Sequence, residues 1–231
     1  MSIAALVRSY PVLVFDLDGT LIDSAADIGR TLSLALQDCG LEPLDGERSP
    51  DLHSPFGEIV GGLLRARGLP STLAERVMLA YRERLAVSAY PQSQPYPGVM
   101  PFLAERLRQG VRMAICTNKR QPEAVRMLGH FGLLDHFGAI VGADSTHAAK
   151  PHPAPLQMAL AALGARPEQA LMIGDTHVDA LCARHGGVAF LWHRAGYGGA
   201  RLMAGEMAAS FDSFDEFGVD ACGELSVGRI A

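Results

Sequence analysis

Short apolar runs recur along the chain and predict the strands of a buried parallel sheet. These runs cover residues 13–15, 112–116, 139–141, 170–173 and 188–192, and a shorter one lies near residues 208–211. Helices are predicted between them, over residues 98–109, 122–131, 153–163, 176–185 and 213–217. Alternating strands and helices are typical of a parallel sheet covered by helices on both faces. The pattern therefore predicts an α/β fold with a doubly wound sheet.

A long segment separates the first predicted strand from the second, and it exceeds what one crossover helix needs. Apolar residues at helical spacing predict three helices there, around residues 26–36, 59–64 and 73–85. The proline-rich stretch 91–98 is typical of a linker that returns to the sheet. We therefore expect two domains: a core formed by residues 1–22 and 95–231, and a helical insert formed by residues 23–94.

Polar residues follow the predicted strands at the point where each strand ends. Asp16 and Asp18 come after the first strand, Thr117 and Asn118 after the second, and Asp175 after a later one. Because right-handed crossovers bring the carboxyl ends of parallel strands to one edge, we expect these side chains to lie together. Acids at the end of a buried strand are costly without a cation. Their oxygen atoms favour a hard divalent ion such as Mg²⁺.

Four short motifs carry a family resemblance. They are Asp-Leu-Asp-Gly-Thr at residues 16–20, Thr-Asn at 117–118, Lys-Pro at 150–151 and Gly-Asp-Thr-His-Val-Asp at 174–179. Each motif alone is a weak signal. In this order, the combination resembles the phosphatases of the haloacid dehalogenase superfamily, close to the phosphoglycolate phosphatase branch. The resemblance covers nearly the whole chain, and it implies a Rossmann-like core with a helical cap domain that closes over the site.

The resemblance implies a Mg²⁺-dependent phosphatase that hydrolyses a small-molecule phosphate monoester, with phosphoglycolate as one candidate. Asp16 would be the nucleophile that forms an aspartyl-phosphate, and Asp18 would be the general acid and base. The metal would be held by Asp16, by the backbone carbonyl of Asp18 and by Asp175. Asp179 would orient this arrangement without binding the ion directly.

Other motif residues are expected to hold the phosphoryl group as it is transferred. Thr117 and the backbone of Asn118 would bind its oxygens. Lys150 would offset the negative charge of the acids and stabilise the transition state. Gly19 would allow a tight loop whose amides cradle the phosphate, and Thr20 would support that loop.

Side chains beside the motifs receive less specific predictions. Lys119 is one of two lysines in the chain, and it is expected to be solvated. His193 and Tyr197 are expected to be loop residues. Substrate choice is expected to come from a loop in the middle of the insert, where Arg48 and His53 are candidates for binding a carboxylate.

Several alternative functions stay open on the same scaffold. A sugar-phosphate mutase also carries the second aspartate, and a pyrophosphatase or a nucleotidase would use the same motifs. A haloacid dehalogenase lacks the second aspartate, so Asp18 counts against that activity. A phosphonate hydrolase would need a lysine in the cap, and residues 23–94 contain none. A binding module without catalysis is disfavoured because every motif residue is present.

The amino-acid composition limits which partners and which cellular compartment are expected. The net charge of −5 and the lack of a long basic run argue against nucleic acid or an anionic membrane as the main partner. A small phosphorylated metabolite is the expected partner. The four cysteines are scattered and form no Cys-x-x-Cys motif, which favours reduced thiols in a cytoplasmic protein. Monomer and small homo-oligomer both stay open.

Overall fold

A parallel sheet forms the centre of the molecule. The computed structural model describes residues 2–44, 52, 54, 56–198 and 207–218. The strands in these residues are β1 Val12–Phe15, β2 Ile22–Asp23, β3 Gln94–Pro95, β4 Arg112–Cys116, β5 Ala139–Val141, β6 Ala170–Gly174, β7 Ala189–His193 and β8 Ala209–Phe211. Six of these described strands form one parallel sheet in the order β5-β4-β1-β6-β7-β8. The predicted α/β fold with a Rossmann-like core is confirmed.

Helices cover both faces of this sheet. The α-helices in the described residues are α1 Ile3–Arg8, α2 Ala25–Asp38, α3 Phe56–Ala66, α4 Ala74–Ala86, α5 Val99–Arg108, α6 Gln121–His130, α7 Ala154–Ala162 and α8 His177–Gly186, of which α2, α3 and α4 belong to the insert. Leu13 and Phe15 of β1 pack in a hydrophobic cluster with α5 and α6. Val12 and Val14 pack in a second cluster with α7 and α8. Because both faces of β1 are buried, its sequence is apolar at every position.

The register of the central strands determines where the polar residues that follow them lie. Strand β1 lies between β4 and β6, and Phe15 is opposite both Ile115 and Ile173. The three strands therefore end at nearly the same level of the sheet. The polar residues that follow them are brought to one edge, which is where open α/β sheets place their ligands.

In its described residues, the insert between β2 and β3 contains the helices α2, α3 and α4. Helices α2 and α3 both pack on α4. Strands β2 and β3 pair antiparallel, with Ile22 opposite Pro95, where the chain leaves and rejoins the core. Asp27 in α2 accepts hydrogen bonds from the backbone N–H groups of Gln92 and Ser93 at 3.0 and 2.8 Å, which ties the returning segment to the insert. The domain boundaries at residues 23 and 95 stay a prediction.

Three local features differ from the predictions. Helix α1 was not expected, and it buries Val7 against the core. The helix predicted over residues 213–217 is a single 3₁₀ turn, Phe214–Phe217, capped by the Ser213 side chain. Strand β7 ends one residue later than predicted, so His193 belongs to the strand. None of the helices in the described parts of the chain has the length and apolar character needed to cross a lipid bilayer.

Candidate active site

Three buried aspartates meet at the carboxyl edge of the sheet. Asp16 follows β1, Asp175 follows β6, and Asp179 lies in the first turn of α8. One carboxylate oxygen from each residue lies within 4.8 Å of the other two. All three residues are less than a tenth exposed. Three carboxylates this close repel one another strongly unless positive charge is present.

Lys150 supplies part of that charge. Its Nζ lies 2.8 Å from Asp16 Oδ1 and 2.6 Å from Asp179 Oδ1, and its side chain is 2% exposed. Burial alone would lower the pKa of the Lys150 ammonium, but the charges of Asp16 and Asp179 outweigh burial and hold this pKa well above its ordinary value. Lys150 is therefore a permanent cation between two of the acids.

Burial raises the pKa values of Asp16 and Asp175, and Lys150 does not balance all of the negative charge around them. Burial raises the pKa of Asp16 to about 6, with Lys150 opposing the shift and Asp179 adding to it. Burial, and then the charges of Asp179 and Asp16, raise the pKa of Asp175 well above its ordinary value. Asp16 Oδ1 is buried and, apart from its ion pair with Lys150, accepts no hydrogen bond from the described residues. The donor set therefore suits a further hard cation.

Asp179 is held by contacts on both of its oxygens. Oδ1 faces Lys150, and Oδ2 accepts hydrogen bonds from the backbone N–H and the hydroxyl of Thr176 at 3.0 and 2.7 Å. The Thr176 contacts form a capping box at the start of α8. Because both oxygens already have donors, Asp179 fixes the position of the Lys150 ammonium.

The Thr-Asn motif after β4 is built around Lys150. The Asn118 amide donates to the Lys150 carbonyl at 3.0 Å, and the Lys150 N–H donates to Asn118 Oδ1 at 2.9 Å. Thr117 is buried, and its hydroxyl oxygen accepts a hydrogen bond from the Lys119 N–H at 3.1 Å. The Asn118 side chain therefore aligns the loop that carries Lys150, while Thr117 lies at the end of β4 in the cavity wall.

The loop after β1 packs directly against Asp175. Thr20 donates its hydroxyl to Asp175 Oδ1 at 2.9 Å, and the Tyr197 N–H donates to Asp175 Oδ2 at 2.7 Å. Gly19 has a φ of +84°, and a Cβ at this position would overlap the Asp175 carboxylate. The Gly19 N–H donates to the Ile22 carbonyl at 2.8 Å. Gly19 thus provides close approach to Asp175, and its own amide is used within the loop, which differs from the expected phosphate contact.

The carboxylate of Asp18 is oriented by residues outside the acidic cluster. Oδ1 accepts a hydrogen bond from the Ser24 hydroxyl at 2.6 Å, and Oδ2 pairs with Lys119 Nζ at 2.7 Å. The Lys119 side chain is 5% exposed, so the prediction that it is solvated is wrong. The physical reason is that Asp18 provides a buried partner for the ammonium, and this ion pair offsets the desolvation. Both lysines of the chain therefore neutralise acids of this site.

His193, which was predicted to be a loop residue, and Tyr197, which lies in the loop after β7 as predicted, also contribute to the site. His193 ends β7, is fully buried, and its Nδ1 lies 3.0 Å from the Gly19 carbonyl. The Tyr197 hydroxyl accepts a hydrogen bond from the Ser24 N–H at 2.7 Å. His193 therefore supports the loop after β1, and Tyr197 connects Asp175 to the start of the insert.

A pH dependence of stability is expected from His193. Burial lowers its pKa below the unfolded value of about 6.5, because the neutral ring is favoured inside the protein. The unfolded chain therefore binds a proton at this residue before the folded protein does. His193 stabilises the fold fully above about pH 6.5 and loses this contribution as the pH falls, by up to about 1.4 kcal/mol per pH unit.

Urea unfolding of the wild type and of His193→Asn between pH 7.5 and 5.5 checks this expectation. The variant should be less stable at pH 7.5, and the difference between the two proteins should shrink toward pH 5.5. A difference that stays constant over this range would contradict the assignment. Comparing the two proteins removes the contributions of the other titrating groups, which they share.

The site opens into a cavity of about 330 Å³ between the core and the insert. Core residues of this cavity include Asp16, Asp18, Thr117 and Lys150. Residues of the insert form the opposite wall: Ile28, Leu52, Ser54, Phe56, Gly57, Ile59, Met78, Tyr81, Arg82 and Leu85. The predicted specificity residues Arg48 and His53 lie outside the described residues. A cavity of this size is at the lower end for small-molecule sites.

The fold and the site together define an enzyme with a Rossmann-like α/β core and a helical insert over a carboxylate-rich active site. The chain belongs to the family of haloacid dehalogenase-like hydrolases, whose model matches residues 13–193. The family resemblance drawn from the four motifs is therefore confirmed, as is the enzyme class.

Relatives named as phosphoglycolate phosphatases support this assignment, and one relative carries the name of a kinase. A phosphoglycolate phosphatase of Cereibacter sphaeroides is 37% identical over 190 residues, which is 81% of this chain and 86% of that protein. A crystal structure of a predicted phosphoglycolate phosphatase from Haemophilus somnus has a TM-score of 0.80 at 25% identity, covering 89% of this chain and 95% of that one. The tyrosine-protein kinase PtkA of Mycobacterium tuberculosis is 34% identical over 196 residues, 85% of this chain and 66% of that protein.

Proposed function

We propose that this hydrolase is a Mg²⁺-dependent phosphatase that cleaves a small phosphate monoester through a covalent intermediate on Asp16. The observation that carries the proposal is the Asp16 carboxylate. It stands at the end of β1, lines the cavity, and is paired with Lys150 through Oδ1, which accepts no other hydrogen bond from the described residues. A buried carboxylate that is accessible from a cavity and adjacent to a fixed cation is suited to attack phosphorus.

The reaction proceeds in two displacements. In the first, a carboxylate oxygen of Asp16 bonds to phosphorus, the bond from phosphorus to the leaving oxygen breaks, and Asp18 gives that oxygen a proton. In the second, Asp18 takes a proton from water as the water oxygen bonds to phosphorus. The bond between phosphorus and Asp16 then breaks, which releases inorganic phosphate and restores both acids. Proton transfer of this kind contributes about 10²–10⁴ in rate.

Lys150 and the Thr-Asn motif would hold the phosphoryl group during both steps. Asp16 and Asp179 fix the Lys150 ammonium, and Asn118 holds the Lys150 backbone, so the charge requires little reorganisation when negative charge develops on the phosphoryl oxygens. Thr117 and the backbone of Asn118 would donate hydrogen bonds to those oxygens. The Asn118 side chain is hydrogen-bonded to the backbone of Lys150. Asn118 would therefore bind the substrate through its main-chain N–H.

The acidic cluster fits a bound Mg²⁺. The unused hydrogen-bonding capacity of Asp16 Oδ1 and the raised pKa values of Asp16 and Asp175 indicate that this pocket carries more negative charge than Lys150 balances. Asp16, Asp175 and the backbone carbonyl of Asp18 would hold the ion. Asp179 would not bind it, but would keep the Lys150 ammonium in place beside Asp16. When bound, Mg²⁺ supplies positive charge that neutralises the phosphoryl oxygens.

Phosphoglycolate is the first substrate to test, because curated relatives with that activity match most of the chain. We also infer a cytoplasmic location, supported by the buried free thiols of Cys39, Cys116 and Cys182. The mutase, the pyrophosphatase and the nucleotidase are the alternatives. The similarity to a protein named as a kinase means that the substrate has to be measured.

A metal-dependence assay with a panel of esters tests the proposed function. Purified protein is incubated with phosphoglycolate, a hexose phosphate, pyrophosphate and a nucleoside monophosphate, and released phosphate is measured. We expect EDTA to lower turnover roughly 10²-fold or more and Mg²⁺ to restore it. Full activity in a metal-free sample would contradict the metal assignment. An isomerised hexose phosphate as the product would favour the mutase.

A further inference from the structure

The segment Gly196-Tyr197-Gly198, which follows β7, packs directly on Asp175. A Cβ added to Gly196 would overlap the Asp175 side chain, and one added to Gly198 would overlap the Asp175 carbonyl oxygen. Glycine at both positions therefore allows the backbone to approach this closely. Between them, the Tyr197 N–H donates a hydrogen bond to Asp175 Oδ2 at 2.7 Å. The segment thus orients a carboxylate that belongs to the acidic cluster.

The side chain of Tyr197 contacts the place where the chain leaves the core for the insert. Its hydroxyl oxygen accepts a hydrogen bond from the Ser24 N–H at 2.7 Å and lies 3.1 Å from Ser24 Oγ. The same hydroxyl lies 3.5 Å from Asp23 Oδ1. Asp23 ends β2, and Ser24 directly precedes α2. Tyr197 therefore contacts a proposed metal ligand through its backbone and the first residues of the insert through its ring.

Ser24 makes these contacts in place of the usual contact of a residue at its position. It is the N-cap residue of α2, and a serine there ordinarily accepts a hydrogen bond from an N–H of the first turn. Within the described first turn of α2, its side chain makes no such bond. Its hydroxyl donates to Asp18 Oδ1 at 2.6 Å, and its N–H donates to Tyr197. A departure from a local rule of this kind is expected at functional sites.

We propose that Tyr197 is a positioning residue that couples metal binding at Asp175 to the docking of the insert on the core at Ser24. A docked insert holds the Tyr197 ring, and the ring holds the N–H that orients Asp175. A metal ion on Asp175 fixes the same segment from the other side. By linkage, each of the two events then favours the other by the same factor. This inference rests on the metal site of the proposed function, but not on the identity of the ester.

The first test measures metal affinity in Tyr197→Phe, which loses the hydroxyl and keeps the N–H that Asp175 uses. The probe is Mn²⁺, which suits the same oxygen ligands as Mg²⁺ and whose free concentration is given by its electron paramagnetic resonance signal. The dissociation constant should rise about 3- to 10-fold, because the hydrogen bonds to Ser24 are lost. Tyr10→Phe is the matched control and should bind as wild type does. Tyr10 precedes β1, at the end of that strand remote from Asp16, and is not among the described residues of the cavity wall.

Hydrogen exchange gives a second readout, which a purely structural role of Tyr197 would not change. In wild type, saturating Mg²⁺ should slow exchange of the Ser24 amide about 3- to 10-fold relative to a sample with EDTA, because linkage requires the same factor in both directions. In Tyr197→Phe this slowing should be lost. If Tyr197 only stabilised the fold, the Ser24 amide would exchange faster in the variant by one factor with and without Mg²⁺, and the affinity for Mn²⁺ would stay unchanged.

The outcomes separate this inference from the proposed function. Equal Mn²⁺ dissociation constants in wild type and Tyr197→Phe would contradict the coupling while the metal site stands. Exchange of the Ser24 amide that Mg²⁺ does not slow in wild type would also contradict it, and this measurement decides the matter if the variant fails to fold. If wild type binds no Mn²⁺, the proposed metal site fails and the coupling fails with it. A protein that shows both effects but cleaves no ester would support the coupling and overturn the phosphatase assignment.

Discussion

Replacing Asp16 by Asn is expected to lower kcat roughly 10⁴-fold or more while leaving the fold intact. An amide oxygen is a poor nucleophile and cannot form the acyl-phosphate. The fold should survive because the substitution keeps the shape of the side chain and relieves repulsion with Asp179 and Asp175. Steady-state hydrolysis of phosphoglycolate and of p-nitrophenyl phosphate measures the loss, and circular dichroism measures the fold.

The matched control for this variant is Asp135→Asn. Asp135 is an exposed aspartate in a 3₁₀ turn away from the cavity, so its neutralisation should change neither rate nor stability. A rate for Asp16→Asn within about tenfold of wild type would mean that another group attacks phosphorus. The metal requirement should persist in that case, because Asp175 and the backbone carbonyl of Asp18 remain to hold the ion.

Replacing Lys150 by Met is expected to have the second largest effect, and it should reduce both stability and activity. The substitution leaves Asp16 and Asp179 buried without the cation that lies 2.8 and 2.6 Å from them. Removing one partner of a buried ion pair costs about 3–5 kcal/mol of the free energy of unfolding. Turnover should fall about 10²–10³-fold, since a fixed charge next to the phosphoryl group is lost. Urea unfolding and steady-state kinetics measure the two effects.

A double variant separates the two roles of Lys150. Lys150→Met with Asp179→Asn removes one buried negative charge, and the Asn side chain can still accept a hydrogen bond from Thr176. Stability should recover in part, while activity stays low because no cation is restored. Recovery of activity together with stability would show that Lys150 acts through folding alone, and its catalytic role would then be rejected.

The sequence predicted the sheet because its central strands are apolar at nearly every position. Residues 13–15, 112–116 and 170–173 are strands in the structure, and each bound agrees to within one residue. The meeting of Asp16 with Asp175 followed from topology alone, since parallel strands end at the same edge. The two-residue strands β2 and β3 gave no signal, because they are too short to show a period.

Contacts between distant side chains could not be predicted in the same way. Lys119 pairs with a residue 101 positions away, and the Tyr197 hydroxyl meets Ser24 across 173 positions. Such pairs depend on how loops pack, which no local pattern encodes. Lys119 did carry one usable signal, because both lysines of the chain lie in or beside the motifs. The roles of Asp18, Thr117 and Asp179 stay predictions that the measurements above address.

Trapping the covalent intermediate tests the central proposal most directly. Asp18→Asn removes the base that activates water, and p-nitrophenyl phosphate has a leaving group that departs without a proton. The variant is mixed with this ester and Mg²⁺, quenched with acid within milliseconds, and treated with borohydride, which converts an aspartyl-phosphate to homoserine. Peptide mass spectrometry should find homoserine at position 16, and the amount should correspond to about one trapped aspartyl-phosphate per chain. Release of p-nitrophenol with no modification, or with the modification at another residue, would contradict Asp16 as the nucleophile.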